Sequence, residues 1–197
     1  MRFLRKPGRW AGLLFAAGFL FSASVSPAAD LENCRQLFLK GNYTDCLREA
    51  EQAVKDASWE DGWQVLLARA QLAVGRYPEA EKTVTNALER RFNSSIELRL
   101  LAYDIFNFTG QTNRAADVLD ELNNLGGRMR YNRDPASLVA LGKALLLLKA
   151  DPKLVLENFF DQAKHLDANY RGAYLASGEL ALDKHDYALA AKTFGEA

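Results

Sequence analysis

From residue 30 onward apolar residues recur at i, i+3 and i+4, with no sustained two-residue alternation. That is the spacing of amphipathic helices, not strands. The helical runs are punctuated at regular places. Gly41-Asn42-Tyr43, Gly75-Arg76-Tyr77, Gly110-Gln111-Thr112 and His185-Asp186-Tyr187 each follow one apolar run and precede another. The first two glycines are 34 residues apart and the next pair 35. After each turn comes a small residue, then an apolar one four later and another three beyond that. These sets are Cys46/Ala50/Ala53, Ala80/Val84/Ala87, Ala115/Leu119/Leu122 and Ala190/Phe194/Ala197, and Phe160 and Ala163 hold the last two places of a further set. Pro78, Pro135 and Pro152 fall at or near predicted helix starts, where a missing N–H does little harm.

The physics of this pattern is a helical hairpin. Glycine at the turn tolerates the left-handed conformation that ends the first helix, helix A. A small residue early in the second, helix B, lets the two backbones approach. One hairpin cannot bury its apolar face alone, so neighbours must stack. The spacing therefore predicts an all-α solenoid of about five antiparallel hairpins, at roughly 30–60, 61–95, 96–127, 133–169 and 170–197. Leu122 and Ala163 are 41 residues apart, so about seven residues are inserted between them. The stretch from Asn124 to Asp134, with a glycine pair and three arginines, is read as a longer connector or as a functional loop at one edge.

The pattern resembles the tetratricopeptide repeat family. The 34-residue period matches, and so do Leu138-x-x-Leu141-Gly142-x-x-Leu145, Tyr174-x-x-x-Gly178 and Ala190-x-x-x-Phe194-x-x-Ala197. Cys34, Ala68 and Tyr103 stand where the family prefers glycine, and no unit keeps the proline that usually follows helix B. A related helical repeat of similar length is the alternative. The resemblance implies a right-handed α-solenoid with a concave groove, lined by helix A, that binds partner peptides. Laid on this chain, it places Arg35, Phe38, Arg69, Leu72, Asp104, Asn107, Phe108, Lys143, Leu146 and Glu179 in that groove. It also sets Cys34 and Cys46 at the facing small positions of the first hairpin. A disulfide is expected there, the alternative being two thiols used as small fillers.

The N-terminus reads differently. Arg2, Arg5, Lys6 and Arg9 precede an uncharged apolar run from Ala11 to Val25, followed by Ser26-Pro27-Ala28. Basic, apolar, small is the layout of a secretory signal, with cleavage expected after Ala28, or next after Ala29. The run is short of the roughly 20 residues that span a bilayer, though retention as an anchor is the alternative. Periplasmic or extracellular localisation follows, with no stable membrane span after cleavage. Ala197 stands at the last helix-B position with no polar capping helix behind it, which predicts the N-terminal portion of a longer protein.

Composition narrows the chemistry. The 197 residues carry 25 basic and 25 acidic side chains, so charge offers no case for nucleic acid. The two histidines, His165 and His185, fall near helix ends, and no metal, phosphate-loop or nucleophile motif occurs. No catalytic residue, metal or cofactor is expected. Two functions remain. One is an exported, non-enzymatic scaffold for a protein or peptide partner. The other is a docking or regulatory arm of a larger exported enzyme, for example one like a metallopeptidase, with its catalytic domain beyond residue 197.

Overall fold

The computed structural model describes residues 30–56, 58–126 and 134–197. The signal-peptide reading and most of the Asn124–Asp134 connector lie outside these residues. Among the described residues the chain is helical and holds no strand. Helix α1 (Leu31–Leu39) pairs with α2 (Tyr43–Lys55), α3 (Asp61–Ala73) with α4 (Tyr77–Arg90), and α5 (Ile96–Phe108) with α6 (Thr112–Gly126). Helix α7 (Pro135–Leu147) faces a continuous helical run. That run comprises α8 (Pro152–Val155), a π-helical stretch (Leu156–Phe160) and α9 (Asp161–Leu166). Helices α10 (Arg171–Asp183) and α11 (Tyr187–Glu196) complete an all-α solenoid of consecutive pairs.

One turn geometry closes all five hairpins. In the first, the Gly41 amide donates to the Phe38 carbonyl and the Asn42 amide to that of Leu37, at 3.0 and 2.9 Å. The same two bonds recur from Gly75 and Arg76, from Gly110 and Gln111, from Lys149 and Ala150, and from His185 and Asp186. This is the Schellman closure, and it needs one left-handed residue. Gly41, Gly75 and Gly110 supply it at φ of 81°, 79° and 73°, whereas Lys149 and His185 adopt 66° and 61° despite their side chains.

The seven inserted residues divide between two places. Gly110 and Lys149 are 39 apart, so five of them precede the fourth turn. The other two lie within the hairpin. Helix α8 starts three residues after its left-handed residue, where α2 and α4 start two after theirs. The π-helical stretch then absorbs one more before Phe160. An extra residue is taken up inside a helix by widening one turn, which keeps Phe160 and Ala163 pointing inward. Both are fully buried.

Helices α1, α3, α5, α7 and α10 pack side by side, and each helix B packs against the following helix A. Among the described residues successive B helices show no comparable packing on one another. The A helices therefore form the tighter, inner layer and line a concave face. Contact between α6 and α7 is light, so the third and fourth hairpins join mainly through α5 and α7. The buried clusters respect that seam. One spans the first two hairpins, a second the middle with Ala144 of α7, and a third the last two.

Close approach within a hairpin is set by the residue seven before the turn. A Cβ on Gly142 would lie 2.5 Å from the Phe160 ring, and one on Gly178 2.5 Å from that of Phe194. Cys34 and Cys46 meet in the corresponding place of the first hairpin, both with no exposed surface. The expected disulfide is not there: the two are free thiols with Sγ atoms 3.0 Å apart, beyond the roughly 2.05 Å of an S–S bond. The Cys34 thiol donates to the Cys46 carbonyl at 3.4 Å. Burial raises the Cys34 thiol pKa well above the usual range and also raises that of Cys46; the contact with Cys46 raises Cys34 further, while the contact with Cys34 opposes the shift at Cys46. The pair acts as two small apolar fillers. One helix-B position also moves: in α6 Val118 is buried and Leu119 only half-buried.

The second and third hairpins are locked by polar contacts as well. Glu81 of α4 accepts from Gln111 Nε2 at 2.7 Å and from Arg114 Nη1 of α6, and the Arg114 guanidinium lies 3.9 Å over the Phe106 ring.

Two outcomes follow from these features. Lys149→Gly and His185→Gly should each stabilise the fold by about 1 kcal/mol, because an L-residue in the left-handed region costs roughly that much. Urea titration checks this, and Gly75→Ala should move the midpoint the other way. The second outcome concerns pH. Hydrogen bonds from Gln111 and then Arg114 lower the Glu81 carboxyl below its ordinary 4.5, against the effect of burial. A depressed carboxylate stabilises the fold above its unfolded pKa and loses that contribution as pH falls through the folded value. Glu81→Gln should therefore be less stable than the parent at pH 7, with the gap closing as pH falls below 4.5.

Candidate functional site

The concave face is built from one side of α1, α3, α5, α7 and α10. Helix starts are fixed by side-chain caps: Asp134 accepts from the Ser137 amide at 2.9 Å at the head of α7, and Ser95 from that of Leu98 at 3.3 Å at the head of α5. Side chains at matching turns of successive A helices therefore fall into rows across the groove.

Two cavities lie along the A helices. The larger, about 1060 Å³, is near their N-terminal ends, with Leu31 and Arg35 of α1, Glu97 of α5 and Leu138 and Leu141 of α7 in its wall. Trp59 stands at its edge, 80% exposed, with the Arg91 guanidinium 4.1 Å over its ring. The smaller, about 550 Å³, is toward the C-terminal ends of α5, α7 and α10. Leu100, Leu146, Leu147 and Leu180 form its apolar wall, with Asp104, Lys143 and Glu179 among them.

Of the ten groove residues expected from the sequence, Asp104, Lys143, Leu146 and Glu179 come together in the smaller cavity, and Arg35 lines the larger. Arg69 bridges to Glu97 on the next A helix at 3.2 Å. Phe38 is half-buried, its ring 5.1 Å from that of Tyr43, and Leu72 packs into the middle core cluster. Asn107 and Phe108 are exposed near the third turn and line neither cavity, with Phe108 80% exposed. Both histidines are exposed, as expected for helix-end residues. The sequence reading missed Leu180 and Pro152. Each belongs to a hairpin whose left-handed turn residue is not glycine, so the turn signal that marks the first three hairpins is missing there.

Electrostatically the groove is a set of internal pairs. Arg69–Glu97 joins α3 to α5, and Lys143–Glu179 joins α7 to α10 at 2.8 Å. Asp104 and Arg35 make no ion pair among the described residues. Asp104 is reached by water but flanked by the groove walls, and this crowding raises its carboxyl above the usual range while Lys143 and Arg69 pull it down. Tyr170, just before α10, is raised by burial and next by Glu97, with Arg35 and Arg69 opposing. Residues from the first, second, third and fifth hairpins thus share one electrostatic neighbourhood. Among the described residues no group of His, Cys, Asp and Glu could hold a metal ion. No described helix is long and apolar enough to cross a membrane.

No family model matches the chain, and no curated protein matches it. Solved structures do. TTC0263, a thermophilic TPR protein in Thermus thermophilus, matches with a TM-score of 0.53 and 19% identity over 85% of this chain and 87% of that one. MamA from Desulfovibrio magneticus RS-1 gives 0.45 and 17%, covering 86% and 93%. A tetratricopeptide repeat protein from Parabacteroides merdae gives 0.41 and 17%, covering 84% and 62%. The chain thus has the tetratricopeptide-repeat fold, as its 34-residue period implied.

The groove pairs are half-exposed at their side chains, 42% and 59% for Lys143 and Glu179. Exposed pairs contribute little to folding. A double-mutant cycle of Lys143→Ala and Glu179→Ala should give a coupling below about 1 kcal/mol, shrinking further in high salt.

Proposed function

We propose that this chain is an exported, non-enzymatic scaffold that holds a segment of a partner protein along its concave face. The observation that carries the reading is the apolar wall of Leu100, Leu146, Leu147 and Leu180 across three A helices, interrupted by charged groups at helical spacing. An apolar trough with a few fixed polar groups suits an amphipathic helix or an extended segment. Export rests on the basic, apolar, small order of residues 1–28.

Two measurements test it. A photo-crosslinking residue at Leu100 or Leu146 should capture a partner. The same group at Leu154, 55% exposed on a B helix, should not. Equal capture from all three positions would place the binding surface elsewhere. Residues 1–30 fused to a phosphatase that folds only outside the cytoplasm should yield an active enzyme.

A further inference from the structure

The smaller cavity contains three carboxylates, and they differ in their partners. Glu179 is held by Lys143 and Asp183 by the adjacent Lys184, each at 2.8 Å. Asp104 has no ion-pair partner among the described residues, and it lines the cavity together with Leu100 of its own helix and Leu146 of α7. The cations have a matching order. Lys143 and Lys184 are engaged, and Lys149 sits exposed at the fourth turn, where water solvates it. A carboxylate whose water is partly replaced by protein gains most from a cation delivered to it. A solvated lysine gains little from an incoming anion. Arg35, Arg69 and Lys143 are the basic residues that the family resemblance places in the groove. The structure uses two of those three cations internally, against Glu97 and Glu179.

We infer that the smaller cavity receives an apolar side chain of the partner segment, with an adjacent lysine or arginine seated on Asp104. This rests on the groove reading above and names the chemistry of its occupant. The apolar side chain fills the space between Leu100, Leu146 and Leu180. The neighbouring cation meets the Asp104 carboxylate at the cavity's edge. Local crowding raises the Asp104 carboxyl, and a cation brought against it would reverse that effect.

The test uses the full chain, immobilised, and three peptide pools. Each pool has a fixed Leu-Leu pair followed by Lys, Gln or Glu, with all other positions varied. The Lys pool should be retained about tenfold better than the Gln pool at low salt, and the Glu pool least. Asp104→Asn should erase the difference between Lys and Gln by lowering Lys-pool retention. Asp104→Lys should invert the order. Asp104 is exposed at its surface and Asn is nearly isosteric, and unchanged thermal unfolding confirms that the variant folds. Glu-pool retention equal to that of Lys, or an Asn variant that keeps the preference, overturns the assignment of Asp104 and leaves the groove reading standing. If no pool is retained above a Gly-Ser pool, both fall.

Discussion

The array depends on how closely the two helices of each hairpin approach. In the first, second, fourth and fifth hairpins the chain conserves volume across the contact, while the third places Tyr103 at this position. Where helix A offers no side chain, at Gly142 and Gly178, helix B fills the space with Phe160 and Phe194. Where helix A brings a larger group, at Cys34 or Ala68, the corresponding helix-B place shrinks to Ala50 or Val84. Packing at this density tolerates exchange of volume between partners but not its loss. The facing cysteines belong to the same arrangement. Their contact at 3.0 Å is a packing contact between small side chains.

The second constraint is the turn. Its two backbone bonds are the same in all five hairpins, so its geometry belongs to the fold and not to glycine. Glycine merely makes it cheap. This explains what the sequence disclosed and what it hid. The first three turns were legible because glycine advertises left-handed backbone. His185 was legible through its neighbours Asp186 and Tyr187, which repeat the residue types of the other turns. Lys149 carried no such signal. The π-helical stretch was hidden for a related reason: one extra residue inside a helix and one in a loop look alike when only spacing is counted.

For the site, the residue set was more legible than its electrostatics. The family resemblance, laid on the chain, placed Asp104, Lys143, Leu146 and Glu179 in the groove, and they do share a cavity. Which charge meets which was not legible, because Arg69 and Glu97 are 28 residues apart and Lys143 and Glu179 are 36 apart. Such pairs depend on the register between neighbouring A helices, which one hairpin's pattern does not contain. Aromatic residues divide by their place along a helix. Trp63 and Phe106 are core, whereas Trp59 and Phe108 stand 80% exposed beside helix ends. Periodicity describes the middle of a helix well and its last turn poorly.

The pairing has a consequence for how the groove discriminates. A groove lined with free cations would attract acidic segments from a distance and select them by field. Here two of the three cations are matched by carboxylates on the adjacent A helix, within 3.2 Å. At longer range each pair is a dipole, and at physiological salt the Debye length of about 8 Å screens what remains. Long-range steering is therefore weak. Discrimination falls to short-range terms: the shape of the apolar wall, and the cost of covering a charged group that has no partner. That cost differs by position. Covering Glu179 leaves its bond to Lys143 intact, whereas covering Asp104 with an apolar group strands a carboxylate. On the proposed reading, a segment that presents only apolar side chains would be penalised at that one place along the groove.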